Sequence, residues 1–249
     1  KAASILVLSV MLSGCATTES TLNHGLFQYS RGLANAAIPL LTESTAEFEK
    51  KHPHDDRTSK AYLALGLMAN ADNNPTKAEQ LLLKALNSAN NTYYNKHLVL
   101  RDANKALGEF YLSQHRYSAA LPLLQATLDS SNNKRDQAIL QHANSANQVA
   151  TALAGVNQKE GAIAHADLAL KIITQVKGDL RHLSTKADIL LNQASIHAQF
   201  DDYLQADAFY QRAISTLKIQ AKKYPFDTWR IEIAENAYQE FKHQRDTAK

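Results

Sequence analysis

The amino-acid sequence predicts an all-α fold, a solenoid of paired helices closed by a C-terminal capping helix. Three observations carry that expectation. Only 8 of 249 residues are glycine and 5 are proline, while Ala, Leu, Gln and Lys, all good helix formers, recur throughout. A small residue returns at a near-constant interval, at Gly66, Gly108, Ala150 and Ala194, with spacings of 42, 42 and 44. Twelve residues after each stands an alanine: Ala78, Ala120, Ala162 and Ala206. A period of this length marks stacked units that bury their apolar faces on one another.

Each copy continues in register. Four residues past the second small residue come Leu82, Leu124, Ala166 and Tyr210, and three further on Ala85, Thr127, Ala169 and Ala213. The reason is geometric: antiparallel helices approach closely only where their crossing residues are small, and larger apolar residues fill the flanks. A degenerate earlier copy is expected from Gly25 and Ala37, with a second helix through Pro39, Leu40, Leu41 and Phe48; it reads as half a repeat. At the other end Tyr224-Pro225-Phe226-Asp227 breaks the pattern. Asp227 is expected to cap a final helix running to about Gln244, with Ile231, Ile233, Ala234, Ala237, Tyr238 and Phe241 as its apolar stripe. Short polar linkers are expected at Lys51–Thr58, Asn87–Asn95, Ser130–Arg135 and Lys177–Asp179.

The order small, small, large, small resembles that of the tetratricopeptide (TPR) repeat. Segment 59–92 matches through Tyr62, Leu65, Gly66, Ala78, Leu82 and Ala85, and segment 101–130 through Leu107, Gly108, Tyr111, Ala120 and Leu124. The usual TPR period is about 34 residues, and longer repeats such as these resemble those of kinesin light chains. Asn147-Gln148-Val149-Ala150 echoes the first-helix Asn-Asn-Leu-Ala string of that group, and Leu191-Asn192-Gln193-Ala194 does so more weakly. The resemblance implies a right-handed α-solenoid in which first helices line a concave groove for an extended peptide or a helix. Carried over by position, the groove would present Leu63 and Leu67, then Asp102, Lys105 and Glu109. Asn147, Gln148 and Thr151 follow, then Asp188, Leu191, Asn192 and Ser195. Amides both donate and accept, which suits a peptide backbone. The carboxylate clamp of chaperone-binding relatives needs several cations, and Lys105 is the one present.

The N-terminal segment carries a different signal. Ser4 to Leu12 form an apolar run that ends at Ser13-Gly14-Cys15, the chain's only cysteine. The run is shorter than the roughly 20 residues a permanent span needs and has the length of a secretory h-region. Leu12-Ser13-Gly14-Cys15 resembles a bacterial lipobox, which implies acylation of Cys15. Because the chain opens on Lys1, an initiator Met and more of the charged n-region are expected before it. By the enteric-type sorting rule, Ala16 rather than Asp after the cysteine implies the outer membrane of a Gram-negative cell, with the body facing the periplasm. The expected organisation is a signal peptide and lipobox at 1–15, a flexible tether at 16–23, the solenoid at 24–226, and the capping helix and tail at 227–249.

Enzymatic motifs are absent. The glycines cannot assemble a phosphate-cradling loop, and no Gly-x-Ser-x-Gly, His-Glu-x-x-His or paired-cysteine motif occurs. His52-Pro53-His54-Asp55-Asp56 holds metal-ligand types but reads as a solvated turn between repeats. With 27 basic and 24 acidic residues and no basic stripe, nothing provides the electrostatic footprint of a nucleic-acid binder. The expectation is therefore a non-enzymatic scaffold or adaptor, without metal or cofactor, that holds a protein or peptide partner in the cell envelope. An enzyme or small-ligand receptor built on the same helices is the alternative.

Overall fold

The computed structural model describes residues 18–130, 136–176 and 182–247, and Cys15 with the apolar run before it lies outside them. The chain forms two compact units that divide between Phe110 and Tyr111. The described part of the first begins with α1 (residues 18–30), α2 (Ala34–Lys51), α3 (Asp56–Ala71) and α4 (Pro75–Asn91). Helix α5 (Lys96–Ser113) carries the chain over the division. The second unit continues with α6 (Tyr117–Ser130), α7 (Asp136–Gly155), α8 (Lys159–Ile173), α9 (His182–Gln199) and α10 (Tyr203–Lys223). A 3₁₀ turn (Pro225–Asp227) and α11 (Trp229–Thr247) complete it. All regular structure among the described residues is helical.

Small residues set the approach within each hairpin. A Cβ added at Gly66 of α3 would lie 2.9 Å from the Leu82 side chain of α4, and one at Gly25 of α1 would lie 2.7 Å from Leu41 of α2. Ala78, Ala120, Ala162 and Ala206 are each fully buried. The first unit gathers Leu22, Ala37, Leu41, Phe48, Ala61, Leu65 and Met68 into one core cluster, and Tyr62, Ala85, Ala89, Val99 and Ala103 into another. In the second, Leu190, Ala194, Ala206, Phe209, Tyr210, Ala213 and Phe241 pack together.

The turn inside each hairpin repeats with the same period. Gly32, Asn73, His115, Asn157 and Asp201 all have left-handed backbone, with φ between 55° and 75°, and each stands seven residues after Gly25, Gly66, Gly108, Ala150 or Ala194. The next residue's N–H reaches back five residues: Leu33 to Gln28 O, Asn74 to Ala69 O, Arg116 to Tyr111 O, Gln158 to Leu153 O and Asp202 to His197 O, at 2.8–3.0 Å. This is the Schellman closure, which satisfies carbonyls that the helix end would otherwise orphan. Asn, Asp and His tolerate the left-handed region better than most residues, and Asn74 and Asp202 then cap the following helix through Lys77 N and Gln205 N.

Several boundaries differ from expectation. The expected tether at 16–23 is helical from residue 18, and α1 and α2 make a whole hairpin rather than half of one. Leu22 is fully buried and Thr18 is buried beside it in the first turn. The Arg57 guanidinium fastens α1 by donating to Glu19 at 2.7 Å and Asn23 at 3.2 Å. Helix α4 runs on to Asn91, into the expected linker at 87–95, because its polar residues bond back to the helix: Asn90 Nδ2 to Leu86 O and Thr92 Oγ1 to Ser88 O. Asp55 begins α3 early by accepting from Arg57 N at 2.9 Å. Asp227 does not cap the last helix; its carboxylate accepts from Gln220 Nε2 at 3.0 Å, and the helix opens at Trp229. Of the expected linker Ser130–Arg135, Ser130 ends α6 and the rest lies outside the described residues, as does all of Lys177–Asp179.

Two outcomes follow from these contacts. Asn157→Val puts a β-branched residue into the left-handed region and is expected to cost about 1–2 kcal/mol, read as a lower urea midpoint, while Asn157→Gly holds or raises that midpoint. Hydrogen bonding from Arg57, against a smaller opposing effect of burial, holds the Asp55 carboxyl below its ordinary 3.8. A depressed carboxylate contributes stability that is present above the unfolded value and lost as pH falls through the folded one. Asp55→Asn keeps a capping side chain, so it should be less stable than wild type at neutral pH, with the difference closing as pH falls below 3.8; pH-resolved thermal unfolding measures this.

Candidate protein-binding face

The residues the repeat places on first helices take different roles in the two units. In the first, Leu63 and Leu67 of α3 are half-buried, and Leu63 packs on the cluster around Tyr62, Ala85 and Val99. On α5, Asp102 pairs with Arg101 at 2.8 Å, and Lys105 lies 3.9 Å from Glu109 one turn on. Partly exposed pairs of this kind are worth a few tenths of a kcal/mol, so this face is apolar on α3 and charged on α5.

In the second unit the polar residues bond to one another. Asn192 Nδ2 of α9 donates to Asn147 Oδ1 of α7 at 2.8 Å and lies 3.3 Å from the Asn147 carbonyl. The Thr151 hydroxyl lies 3.1 Å from that same carbonyl and 3.2 Å from Asn192 Oδ1. Further along, Gln199 Nε2 donates to Ala154 O at 2.8 Å. The groove amides thus form a seam that fastens the first helix of one repeat to that of the next. Leu191 packs into the core, and Gln148 is half-buried on α7. Asp188 accepts from Arg230 of α11, which also donates to Ser184. Sequence reasoning missed Arg230. Its signal is the spacing of 42 residues from Asp188, one repeat length, which sets α11 in line as a further first helix.

Ser195 leads to a feature with room for a ligand. A cleft of about 510 Å³ opens between α9, α10 and α11, beside Ser195, Ala198, Gln199, Glu240, Gln244 and Arg245. Its floor is aromatic: Phe241 lies 5.2 Å from Tyr210 and 6.2 Å from Tyr203, centroid to centroid. Burial, then the charge of Glu240, pushes the Tyr210 phenol upward, so it stays a neutral donor at physiological pH. Burial also raises Tyr238, whose hydroxyl donates to Asp207 at 2.6 Å. Arg245 lies 2.9 Å from Asp246 and 3.8 Å from Asp207. The volume falls within the range of small-ligand sites. An apolar floor with amides and both charges at its edge suits one or two side chains of a peptide and the backbone beside them.

The histidine-rich turn separates its ligand types. His52 packs on Phe48 at 4.5 Å, while His54 stacks on Tyr93 at 4.0 Å and bonds Asn91 O at 2.7 Å. Among the described residues no three His, Cys, Asp or Glu gather as metal ligands, and no helix is long and apolar enough to cross a membrane.

The fold is that of TPR-like repeat proteins. It is similar to the apo form of RapI (TM-score 0.67, 13% identity, covering 89% of this chain and 77% of that one). It is also similar to the TPR-like repeats of a kinesin light chain from Podosopora anserina (0.62, 14%, 85% and 98%). A third similar structure is MamA from Desulfovibrio magneticus RS-1 (0.58, 16%, 82% and 96%). No family model matches the chain, and no characterised protein sequence does.

Asn192→Ala removes one side of the seam and leaves part-buried acceptors on α7 without their donor. It should lower stability by about 1–2 kcal/mol, measured by urea unfolding, with faster amide exchange in α7 and α9.

Proposed function

We propose that this chain is an outer-membrane-anchored lipoprotein of a Gram-negative cell, facing the periplasm. There it serves as a TPR-like adaptor for a protein partner in envelope assembly or secretion. The observation that carries the adaptor reading is the aromatic-floored cleft between α9, α10 and α11. Its α9 side, Ser195, Ala198 and Gln199, belongs to a first helix, where repeat scaffolds of this kind present their binding surface. The seam and the Arg230 contacts hold those helices fixed before a ligand arrives, so little ordering free energy is lost on binding.

The anchor rests on Leu12-Ser13-Gly14-Cys15, and the choice of membrane on Ala16. The enzymatic alternative has no motif behind it. A receptor for a small ligand has one observation in its favour, the volume of the same cleft.

Affinity capture from cross-linked envelopes tests this reading. Ser195→Arg with Gln244→Arg crowds the rim with long cations while leaving the aromatic floor untouched. Wild type should retain one stoichiometric protein that the double variant loses. A partner kept by both moves the binding surface elsewhere, and a co-purifying small molecule in native mass spectra favours the receptor.

A further inference from the structure

One edge of the first unit gathers the start of α1, the end of α2, the start of α3, the end of α4 and the start of α5. The contacts are specific. Thr18 hydrogen-bonds Glu47, Arg57 joins Glu19 to Asp55 at 2.7 Å to each, and Asn95 Nδ2 donates to Asp56 Oδ2 at 3.2 Å. The Tyr93 N–H donates to His54 O at 3.3 Å.

On that edge residues 93–98, Tyr-Tyr-Asn-Lys-His-Leu, are all exposed. Tyr93 and Tyr94 are 73% and 78% accessible, and Leu98 is 40%. Tyr93 is held outward by stacking on the His54 ring at 4.0 Å, and Asn95 takes a left-handed φ of 54° in the turn behind it. Tyr93, so held, and its neighbour Tyr94 leave their apolar rings largely in water. Tyrosine is an amphipathic ring with a polar tip, and it concentrates where apolar and aqueous phases meet.

The distance to Cys15 supplies the phase. Two residues lie between Cys15 and Thr18, which is already helical, so the link is three residue steps of at most about 3.3–3.6 Å each. An acyl group on Cys15 therefore holds the first turn of α1 within about 11 Å of the lipid surface, and the Glu19–Arg57 and Asp56–Asn95 contacts tie the edge to that turn.

We propose that this edge is a membrane-contact surface, with Tyr93 and Tyr94 seated in the phospholipid headgroup layer of the bilayer that holds the anchor. The inference rests on the lipoprotein reading above and adds which face of the first unit meets the membrane. Anchoring then fixes orientation as well as location.

The chain has a single tryptophan, Trp229, so one fluorescent reporter can be moved. Full-length Trp229→Phe protein carrying Tyr94→Trp is isolated from bacterial membranes and reconstituted in phosphatidylethanolamine–phosphatidylglycerol vesicles containing brominated lipid. The mass of the Cys15 peptide reads acylation independently, and a Tyr93→Trp companion serves if the first variant loses its helical circular dichroism. An acylated Cys15 peptide with blue-shifted emission that bromolipid quenches and acrylamide does not is the expected result. An acylated peptide with solvent-like emission, quenched by acrylamide alone, overturns the contact surface and leaves the lipoprotein reading intact. An unmodified Cys15 removes the tether and overturns both.

Discussion

The structure depends on a closure made once per hairpin: a small residue where two helices cross, and seven residues later a left-handed residue that turns the chain back. The crossing sets how near the helices come, and the turn sets their direction. Gly66 against Leu82 shows the first part, and Asn73 with the Asn74-to-Ala69 bond shows the second. Because both parts recur with one period, successive hairpins inherit one geometry, and stacking within a unit follows from repetition. One repeat length also separates Asp188 on α9 from Arg230 on α11, the pair that joins those two helices.

Polar residues in such a stack have two uses that composition does not separate. The amides of Asn147 and Asn192 could equally meet a peptide or each other, and they meet each other. Their bonds hold α7 to α9, and Arg230 holds α9 to α11 through Asp188. The face proposed for a partner lies further along α9, where Ser195 and Gln199 border aromatic rings from α10 and α11.

The repeat was legible because Gly and Ala at crossing points are a steric requirement that few residues satisfy. The left-handed turns were not, since Asn73, His115, Asn157 and Asp201 share a conformation rather than a chemistry, and each sits in a stretch that reads simply as polar. Helix α1 was hidden for a related reason. Thr-Thr-Glu-Ser-Thr resembles a tether until Leu22 and Gly25 are seen against α2 and Arg57 against Glu19. At the candidate site, Ser195 was found by register. The cleft itself was not, because Tyr203 and Tyr210 come from α10 and Phe241 from α11, and no local pattern joins them. Arg230 was legible only by counting one repeat length from Asp188 across a segment that looked like a cap.

The central claim is that the cleft of the second unit holds a protein partner at the cell envelope. It is tested most directly by placing a photo-cross-linking amino acid at Gln199, on the cleft's rim, and irradiating living cells. The account predicts one discrete protein adduct from this position and none from the same probe at Leu204, which is 80% exposed on α10 and does not line the cleft. Equal adducts from both positions, or none at Gln199 in cells where the chain is folded and membrane-bound, would contradict it.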